Sequence, residues 1–285
     1  MNRRWFKAQP AYFVSCHSLN QRLKWPTRMD DFAERFGGIA RLYGKSGLER
    51  LRAAHVCVVG IGGVGTWAAE ALARSGIGTI TLVDLDEVCV TNINRQLHAL
   101  TETVGRSKVE VMAERIRAIN PASRVVAEQK FFNGQTASEL LAPKYDYVLD
   151  AIDSVTNKVL LIARGREKQL PVVVCGGAGG RRDATQMRVA DLAKVSHDRL
   201  LAEVRKKLRK EFQFPADGSA MGVECVFSAE APVFAQPDGS VCENRFTREE
   251  GTRLNCNGGL GSATFVTGAF GFAAAGVVVR QIAER

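Results

Sequence analysis

The sequence predicts an α/β fold with a mostly parallel sheet and flanking helices, and three observations carry that prediction. From residue 54 onward, short apolar runs alternate with stretches of helical periodicity. Alternation of this kind needs crossover connections, and crossovers make parallel strands. A glycine-rich turn, Gly60-Ile-Gly-Gly-Val-Gly65, stands between the first apolar run and the first helix. An acid, Asp84, closes the next run, 24 residues after Gly60. Strand, glycine turn, helix and acid in that order make the sheet Rossmann-like.

Each element follows from its residues. Residues 54–59 (AHVCVV) are nearly continuous in apolar character, as a strand buried on both faces must be. A helix over 64–75 is closed by Gly76, and 79–83 is a second strand. Over 107–120, Val109, Met112, Ile116 and Ile119 recur at helical spacing, and the helix stops at Asn120-Pro121. Further strands are expected at 124–127, 147–152 and 171–175, with a helix over 156–169 before the last. After Gly180 the alternation gives way to a basic helix over 191–212, a region rich in Gly, Pro and Asn, and an uncharged C-terminal helix.

The chain has 285 residues, 46% hydrophobic and 24% charged, which describes a soluble globular protein and excludes disorder throughout. Its formal charge of +9 sits in two places. Residues 1–29 carry six basic groups and no acid, and 194–210 carry seven basic and two acidic ones, which leaves the remainder slightly acidic. Residues 1–29 read as a basic extension without stable structure, with a transit peptide as the alternative; they lack the apolar stretch of a secretory signal. Residues 30–285 read as one domain, with a core over about 51–180 and a second region over about 181–285. The seven cysteines (16, 57, 89, 175, 225, 242 and 256) form no CxxC pair, and Cys57, Cys89 and Cys175 lie in or beside apolar runs. That pattern suits buried thiols in a reducing, cytoplasmic setting. Residues 255–279 hold no charge, but their six glycines and two asparagines suit a loop entering a buried helix better than a membrane span.

The glycine turn lets backbone approach phosphates, and the helix that follows favours anions at its N-terminus. Asp84 is placed to accept from ribose hydroxyls. These features point to a bound nucleotide rather than a ligand-free tight turn. The turn alone favours NAD, so the residues that follow must decide. They are Asp84-Leu-Asp86, Asn92-Ile-Asn94-Arg95-Gln96, Lys108 and Asp150-Ala-Ile-Asp153-Ser154. A dinucleotide pyrophosphate is served by backbone donors, whereas a triphosphate with Mg²⁺ needs cations and a carboxylate for the metal. Arg95, Lys108 and Asp153 supply that set. Singly, each has a plainer reading: a surface charge, a helix-face lysine and a helix N-cap.

With Val88, these motifs resemble the ubiquitin-activating-enzyme-like (ThiF/MoeB-type) adenylating superfamily. Within it, Arg35-Phe-Gly-Gly-x-Ala-Arg-Leu-Tyr-Gly44, Gly176-Gly-Ala-Gly-Gly180, Val189-Ala-Asp-Leu-Ala193, Cys225-Val-Phe-Ser-x-Glu230 and Gly259-x-Gly-Ser-Ala-Thr-x-Val-Thr-Gly268 look like the tRNA threonylcarbamoyladenosine dehydratase family. The resemblance runs from about Asp30 to the C-terminus. It implies N-terminal helices, a C-terminal substrate-side extension, and a homodimer whose subunits each bind ATP and Mg²⁺. By the same resemblance Gly60, Gly62, Gly63 and Gly65 cradle phosphates and Asp84 holds the ribose. Asn92 and Gln96 orient phosphates, and Asp86, Asn94 and Ser154 complete the nucleotide set. Arg95 and Lys108 stabilise charge at the α-phosphate, and Asp153 binds the Mg²⁺ that carries departing pyrophosphate. Relatives send an N-terminal arginine into the partner's site; here Gly37-Gly38 stands at that point, and Arg35 or Arg41 is the candidate.

The cysteines then narrow the substrate. Sulfur-carrier activators of this superfamily hold zinc in two CxxC pairs; this chain has none, and no zinc is expected. Thioester-forming members need an exposed cysteine, for which Cys225 is the candidate against a packed thiol. A dehydratase needs neither: it adenylates the threonyl carboxylate of the modified adenosine beside the anticodon, whose carbamoyl nitrogen then closes a ring. Lys194, Arg199, Arg205, Lys206, Lys207, Arg209 and Lys210 on one helix, with Arg181 and Arg182, are candidate tRNA contacts. The alternative is a solvated face over inward Leu200, Leu201, Val204 and Leu208. Ala184 stands where a proline is usual in that family, and His98 reads as structural. Competing functions are adenylation of a ubiquitin-like or sulfur-carrier protein, an NAD-dependent oxidoreductase, and a non-catalytic tRNA-binding or sulfur-relay protein. A sulfur-transfer protein is a candidate partner; a membrane is not.

Overall fold

The computed structural model describes residues 31–236, 238–243 and 260–285. The extension expected over 1–29, Cys16, Cys256 and the start of the glycine-rich loop lie outside them. Helix α1 (Phe32–Ala53), broken at Gly44, leads into β1 (His55–Val59), α2 (Gly65–Arg74), β2 (Thr79–Val83), α3 (Lys108–Ile119) and β3 (Arg124–Glu128). Then come α4 (Ala137–Leu140), β4 (Tyr147–Asp150), α5 (Val155–Glu167), β5 (Val172–Cys175), β6 (Met187–Asp191), α6 (Arg199–Phe212) and β7 (Glu224–Ser228). A two-residue pair, β8 (Phe234–Ala235) and β9 (Val241–Cys242), precedes α7 (Thr264–Ala283).

Seven strands form one sheet in the order β3-β2-β1-β4-β5-β7-β6, parallel except for β6 against β7. The α/β class holds, and so do the helices on either face. Strand alternation divides β1 between two cores. Val56 and Val58 pack with α2, α3 and α7, while Cys57 and Val59 pack with Leu140 of α4 and Leu161 of α5. A third cluster joins α6 to the far end of the sheet through Leu201, Val204, Leu208, Val174 and Cys225. Among the described residues α7 is the one helix long and apolar enough to cross a membrane. Its buried face, with Val266, Phe270, Ala274 and Val278, lies against α2 and the sheet, so it is a core helix.

Three expectations need correction. The strand expected over 147–152 ends at Asp150, because the Asp150 carboxylate accepts the Ile152 N–H at 2.9 Å and turns the chain. The basic helix begins at Arg199 rather than 191: Asp191 ends β6, Leu192–Lys194 is a 3-10 turn, and Asp198 caps α6 by accepting the Leu201 N–H at 2.9 Å. Between Gly180 and the C-terminal helix lie two strands of the main sheet, β6 and β7, and the short pair β8 and β9, where no sheet was expected.

Candidate active site

Strand order reverses between β1 and β4, so the loops leaving their C-terminal ends flank one crevice, the usual ligand position in an open α/β sheet. The glycine turn leaves β1, and residues 151–154 leave β4. The Ala151 N–H donates to Val59 O at 2.9 Å, which holds the two loops together. Gly60 has φ +92°, and a Cβ there would lie 2.8 Å from Ala151 O; at Gly65 it would lie 1.8 Å from Gly60 O. Both must be glycine for the loops to pack. Gly62 differs, because a Cβ there meets nothing within 4 Å. It keeps open a cradle on the crevice side. At Gly63 a Cβ would lie 3.4 Å from Cγ of Arg95, whose stem lies alongside.

Asp84 faces the turn from the end of β2. Its Oδ2 accepts the Ile61 N–H at 2.7 Å and its Oδ1 accepts the Asp86 N–H at 2.9 Å. Burial pushes this carboxyl up, against the pull of Lys108 and the two N–H donors. Lys108, buried at the start of α3, reaches Asp86 Oδ2 at 2.7 Å and Asp84 Oδ1 at 3.9 Å. Lysine and carboxylates therefore meet on one wall, with Asp86 mostly in solvent.

Arg95 lies beside the glycine turn, its stem along Gly63. Its guanidinium Nη1 donates to Thr91 O at 2.6 Å and to Asn94 Oδ1 at 3.1 Å. Its carbonyl accepts from Trp67 Nε1 at 3.1 Å and Thr267 Oγ1 at 3.2 Å, so its backbone is fixed from α2 and α7. Sequence reasoning gave Trp67 and Thr267 no role; Thr267 lay inside a quoted motif, and that was its only signal. Asn94 Nδ2 donates to Ser262 O at 2.8 Å. Asn92 is buried, and its Oδ1 accepts the Cys89 N–H at 3.0 Å, closing the 3-10 turn Val90–Asn92; that oxygen serves the loop and not a ligand. Gln96 Oε1 and both ring nitrogens of His98 are buried without partners among the described residues. Burial, with Lys108 nearby, pulls His98 down to about 4, so its ring is neutral.

Asp153 is exposed in the loop that leaves β4, and Ser154 caps α5, its Oγ accepting the Asn157 N–H at 3.5 Å. Contacts thus join Asp84, Asp86 and Lys108 to the glycine turn and lay the Arg95 stem along Gly63, while Asp153 follows in the loop from β4 that packs against Gly60. Among the described residues no three His, Cys, Asp or Glu side chains converge. A cation held by Asp153 would complete its shell with phosphate oxygens and water, which is how Mg²⁺ binds beside a nucleotide. The open Gly62 cradle, two cations and one carboxylate fit that group.

The other candidates separate. Cys225 is fully buried in β7, between Val174 and Ala190, and burial pushes its thiol well up; it is not the exposed nucleophile a thioester needs. Arg35 donates to Ile119 O at 3.3 Å, while Arg41 is exposed on α1. Arg181 is 4% exposed and donates to His197 O at 2.6 Å, so it is not presented to a partner in solution. Arg182 is exposed, and the backbone N–H groups of Arg182 and Asp183 are both held by Glu230 Oε2 at 2.9 Å. On α6, Arg205 donates to Leu192 O and Val195 O, Arg209 to Pro215 O, and Lys207 to Thr156 Oγ1 at 3.4 Å. Lys194, Arg199, Lys206 and Lys210 face solvent.

This architecture has close counterparts. The chain is 51% identical to the tRNA threonylcarbamoyladenosine dehydratase of Escherichia coli, over 89% of this chain and 95% of that one. It is 46% identical to the tRNA threonylcarbamoyladenosine dehydratase of Haemophilus influenzae, over 90% and 97% respectively. A crystal structure of the E. coli dehydratase in complex with ATP superposes with a TM-score of 0.78 at 47% identity, covering 89% of this chain and 95% of that one. The ThiF family model matches residues 38–280, and with that match the chain belongs to the ThiF family.

Proposed function

We propose that this chain is an ATP-dependent tRNA-modifying enzyme that dehydrates N6-threonylcarbamoyladenosine by adenylating its threonyl carboxylate. The observation that carries the reading is the crevice itself: an open glycine cradle flanked by Arg95, Lys108 and Asp153. Likeness to dehydratases along most of the chain, one of them solved with ATP, points the same way. A carboxylate oxygen attacks the α-phosphorus and pyrophosphate leaves. The carbamoyl nitrogen then attacks the acyl carbon, loses its proton and expels AMP. One water is lost from the nucleoside for each ATP split to AMP and pyrophosphate. Arg95 and Lys108 stabilise charge that develops at the α-phosphate. Gly62, Gly63 and Gly65 supply backbone N–H groups, the Gly60 N–H being held by Val83 O at 2.8 Å, and Asp84 and Asp86 form the ribose wall. Asp153 would hold Mg²⁺, which would supply charge neutralisation for the leaving pyrophosphate.

The tRNA meets the exposed cations Lys194, Arg199, Lys206, Lys210 and Arg182, a reading supported by their exposure; Arg199 also lies over the Phe234 ring and Arg182 Nε lies 3.9 Å from Glu230 Oε1. A homodimer would cover the exposed Leu42 on α1 and Phe265 and Phe272 on α7. Free cysteines in the described core support a reducing, cytoplasmic setting. A sulfur-transfer partner would have to act without Cys225 as acceptor, because that thiol is enclosed. The test is direct: incubate the enzyme with ATP, Mg²⁺ and tRNA carrying the modified base, digest, and weigh the nucleoside. Loss of one water with equimolar AMP is the expected result. Binding of tRNA without AMP release, or AMP release with an unchanged nucleoside, rejects the reading.

A further inference from the structure

Beneath the crevice, Lys158 of α5 and Asp150 at the end of β4 form an ion pair of 2.9 Å, Nζ to Oδ1, with both side chains wholly removed from solvent. Such a pair adds little stability over apolar residues of the same volume, because desolvating both charges offsets their attraction. This one is also incompletely satisfied: Asp150 Oδ2 has no partner among the described residues, and Lys158 Nζ makes the ion contact to Oδ1 without a well-aligned hydrogen bond. Its effect is geometric. The same Oδ1 that Lys158 holds accepts the Ile152 N–H at 2.9 Å, which turns the chain sharply off β4. The intervening Ala151 is held on the other side, its N–H on Val59 O and its carbonyl packed against Gly60. Residues 151–154 are thus gripped between a fixed carboxylate and the glycine turn, and Asp153 is exposed in that loop.

We propose that Asp150 and Lys158 are positioning residues for adenylation: Lys158 fixes Asp150 Oδ1, Asp150 Oδ1 fixes the Ile152 N–H, and the resulting turn aims Asp153 at the nucleotide's cation. The inference rests on the functional reading above for the role of Asp153. It also explains why a charged pair is kept where an apolar pair would pack as well.

Two double variants of the full chain separate positioning from packing. D150N/K158M removes both charges but keeps an oxygen for the Ile152 N–H; D150L/K158M removes that oxygen too. Each is titrated with Mn²⁺ in the presence of a non-hydrolysable ATP analogue, followed by electron paramagnetic resonance, alongside melting temperature, kcat and KM. D150N/K158M keeps the oxygen but loses the lysine that fixes it, and is expected to bind Mn²⁺ more weakly than the wild type and more tightly than D150L/K158M. D150L/K158M should fold yet bind Mn²⁺ about 10–100-fold more weakly, the usual loss when a group orienting a metal ligand is removed. Its kcat should fall while metal-free affinity for the analogue holds. Equal Mn²⁺ binding by the two variants overturns the proposal. If D150L/K158M does not fold, amide exchange at Ile152 decides. Strong protection in both the wild type and D150N/K158M supports the turn, and rapid exchange in the wild type refutes it. D153N is the control: if it binds Mn²⁺ like the wild type, the metal role of Asp153 fails, and Ile152 exchange alone then judges the positioning.

Discussion

Gly62 separates binding from folding, and Gly62→Ala tests the cradle with the smallest possible perturbation. A methyl at this position meets no protein atom within 4 Å, and the backbone lies outside the left-handed region, so alanine adopts it without strain. Replacing glycine at a compatible site adds about 0.4–1 kcal/mol of stability by restricting the unfolded chain. The melting temperature of Gly62→Ala should therefore hold or rise slightly. The ligand fares differently. If a phosphate oxygen rests on this backbone, the methyl displaces it and one hydrogen bond to a charged group is lost, about 1.5–3 kcal/mol. That converts to about 10–150-fold weaker ATP binding, at 1.4 kcal/mol per decade. Calorimetric ATP titration and thermal unfolding on the same preparation read both quantities. Gly60→Ala is the contrast: with φ +92° and Ala151 O at 2.8 Å, it should lose stability and ATP affinity together. Wild-type ATP affinity in Gly62→Ala would refute the reasoning, since no phosphate could then lie against that backbone.

Arg95→Ala should lower AMP release about 10²–10³-fold, the cost of one preorganised donor, with a much smaller loss of ATP affinity. Its melting temperature should hold, because Trp67 and Thr267 bind the Arg95 carbonyl and not its side chain; near-normal turnover rejects the clamp. His98 titrates near 4 when folded and at its ordinary 6.5 when unfolded, so the unfolded chain takes up the proton first as pH falls. Its stabilising contribution is complete above pH 6.5 and is lost between 6.5 and 4, about 3 kcal/mol in all; urea unfolding at pH 7 and 4.5 should show this loss in the wild type and not in His98→Gln. Lys206→Gln with Lys210→Gln should flatten the salt dependence of tRNA affinity by about 0.7–0.9 per lost phosphate contact while stability holds. Arg205→Gln should instead lower the melting temperature, because its guanidinium holds two carbonyls of the preceding turn.

The central strands were legible because burial on both faces leaves only one kind of sequence. Every residue of β1 after His55 is buried, and the run reads without a polar break. The edge is different. Strand β6, Met-Arg-Val-Ala-Asp, pairs on one side only and leaves Arg188 and Val189 exposed, so neither periodicity nor composition marks it. The false start of the basic helix has a similar cause. Leu192 and Val195 are three residues apart, as on a helix, and the basic run begins at Lys194, so the segment reads as continuous although these two fall on the opposite helical face from Leu201, Val204 and Leu208. Two aspartates interrupt it. Asp191 accepts the Ala193 N–H and the N–H groups of Met221 and Gly222, while Asp198 caps Leu201 and also accepts the Gly177 N–H. A cap that ties a helix to a loop 21 residues away in sequence leaves no local signature.

The site shows the same division between what a residue is and what it touches. Glycine spacing, an acid ending a strand and two cations were readable, because a triphosphate demands those groups wherever the fold places it. Their division of labour was not. Asp84 spends both oxygens on backbone N–H groups of the crevice, Asn92 spends its oxygen on Cys89, and Lys108 rests on Asp86. Each of these marks is therefore scaffold before it is ligand. That follows from the chemistry required: stabilising charge that develops for an instant works only if the donors are already fixed, since reorienting them during the reaction would cost what the interaction gains. A crevice that acts on a triphosphate must be held by its own polar groups first. Asp150, read from the sequence only as the first acid of a motif, is the extreme case: wholly buried, it can touch no substrate, and its single hydrogen-bonded loop amide is what it offers the reaction.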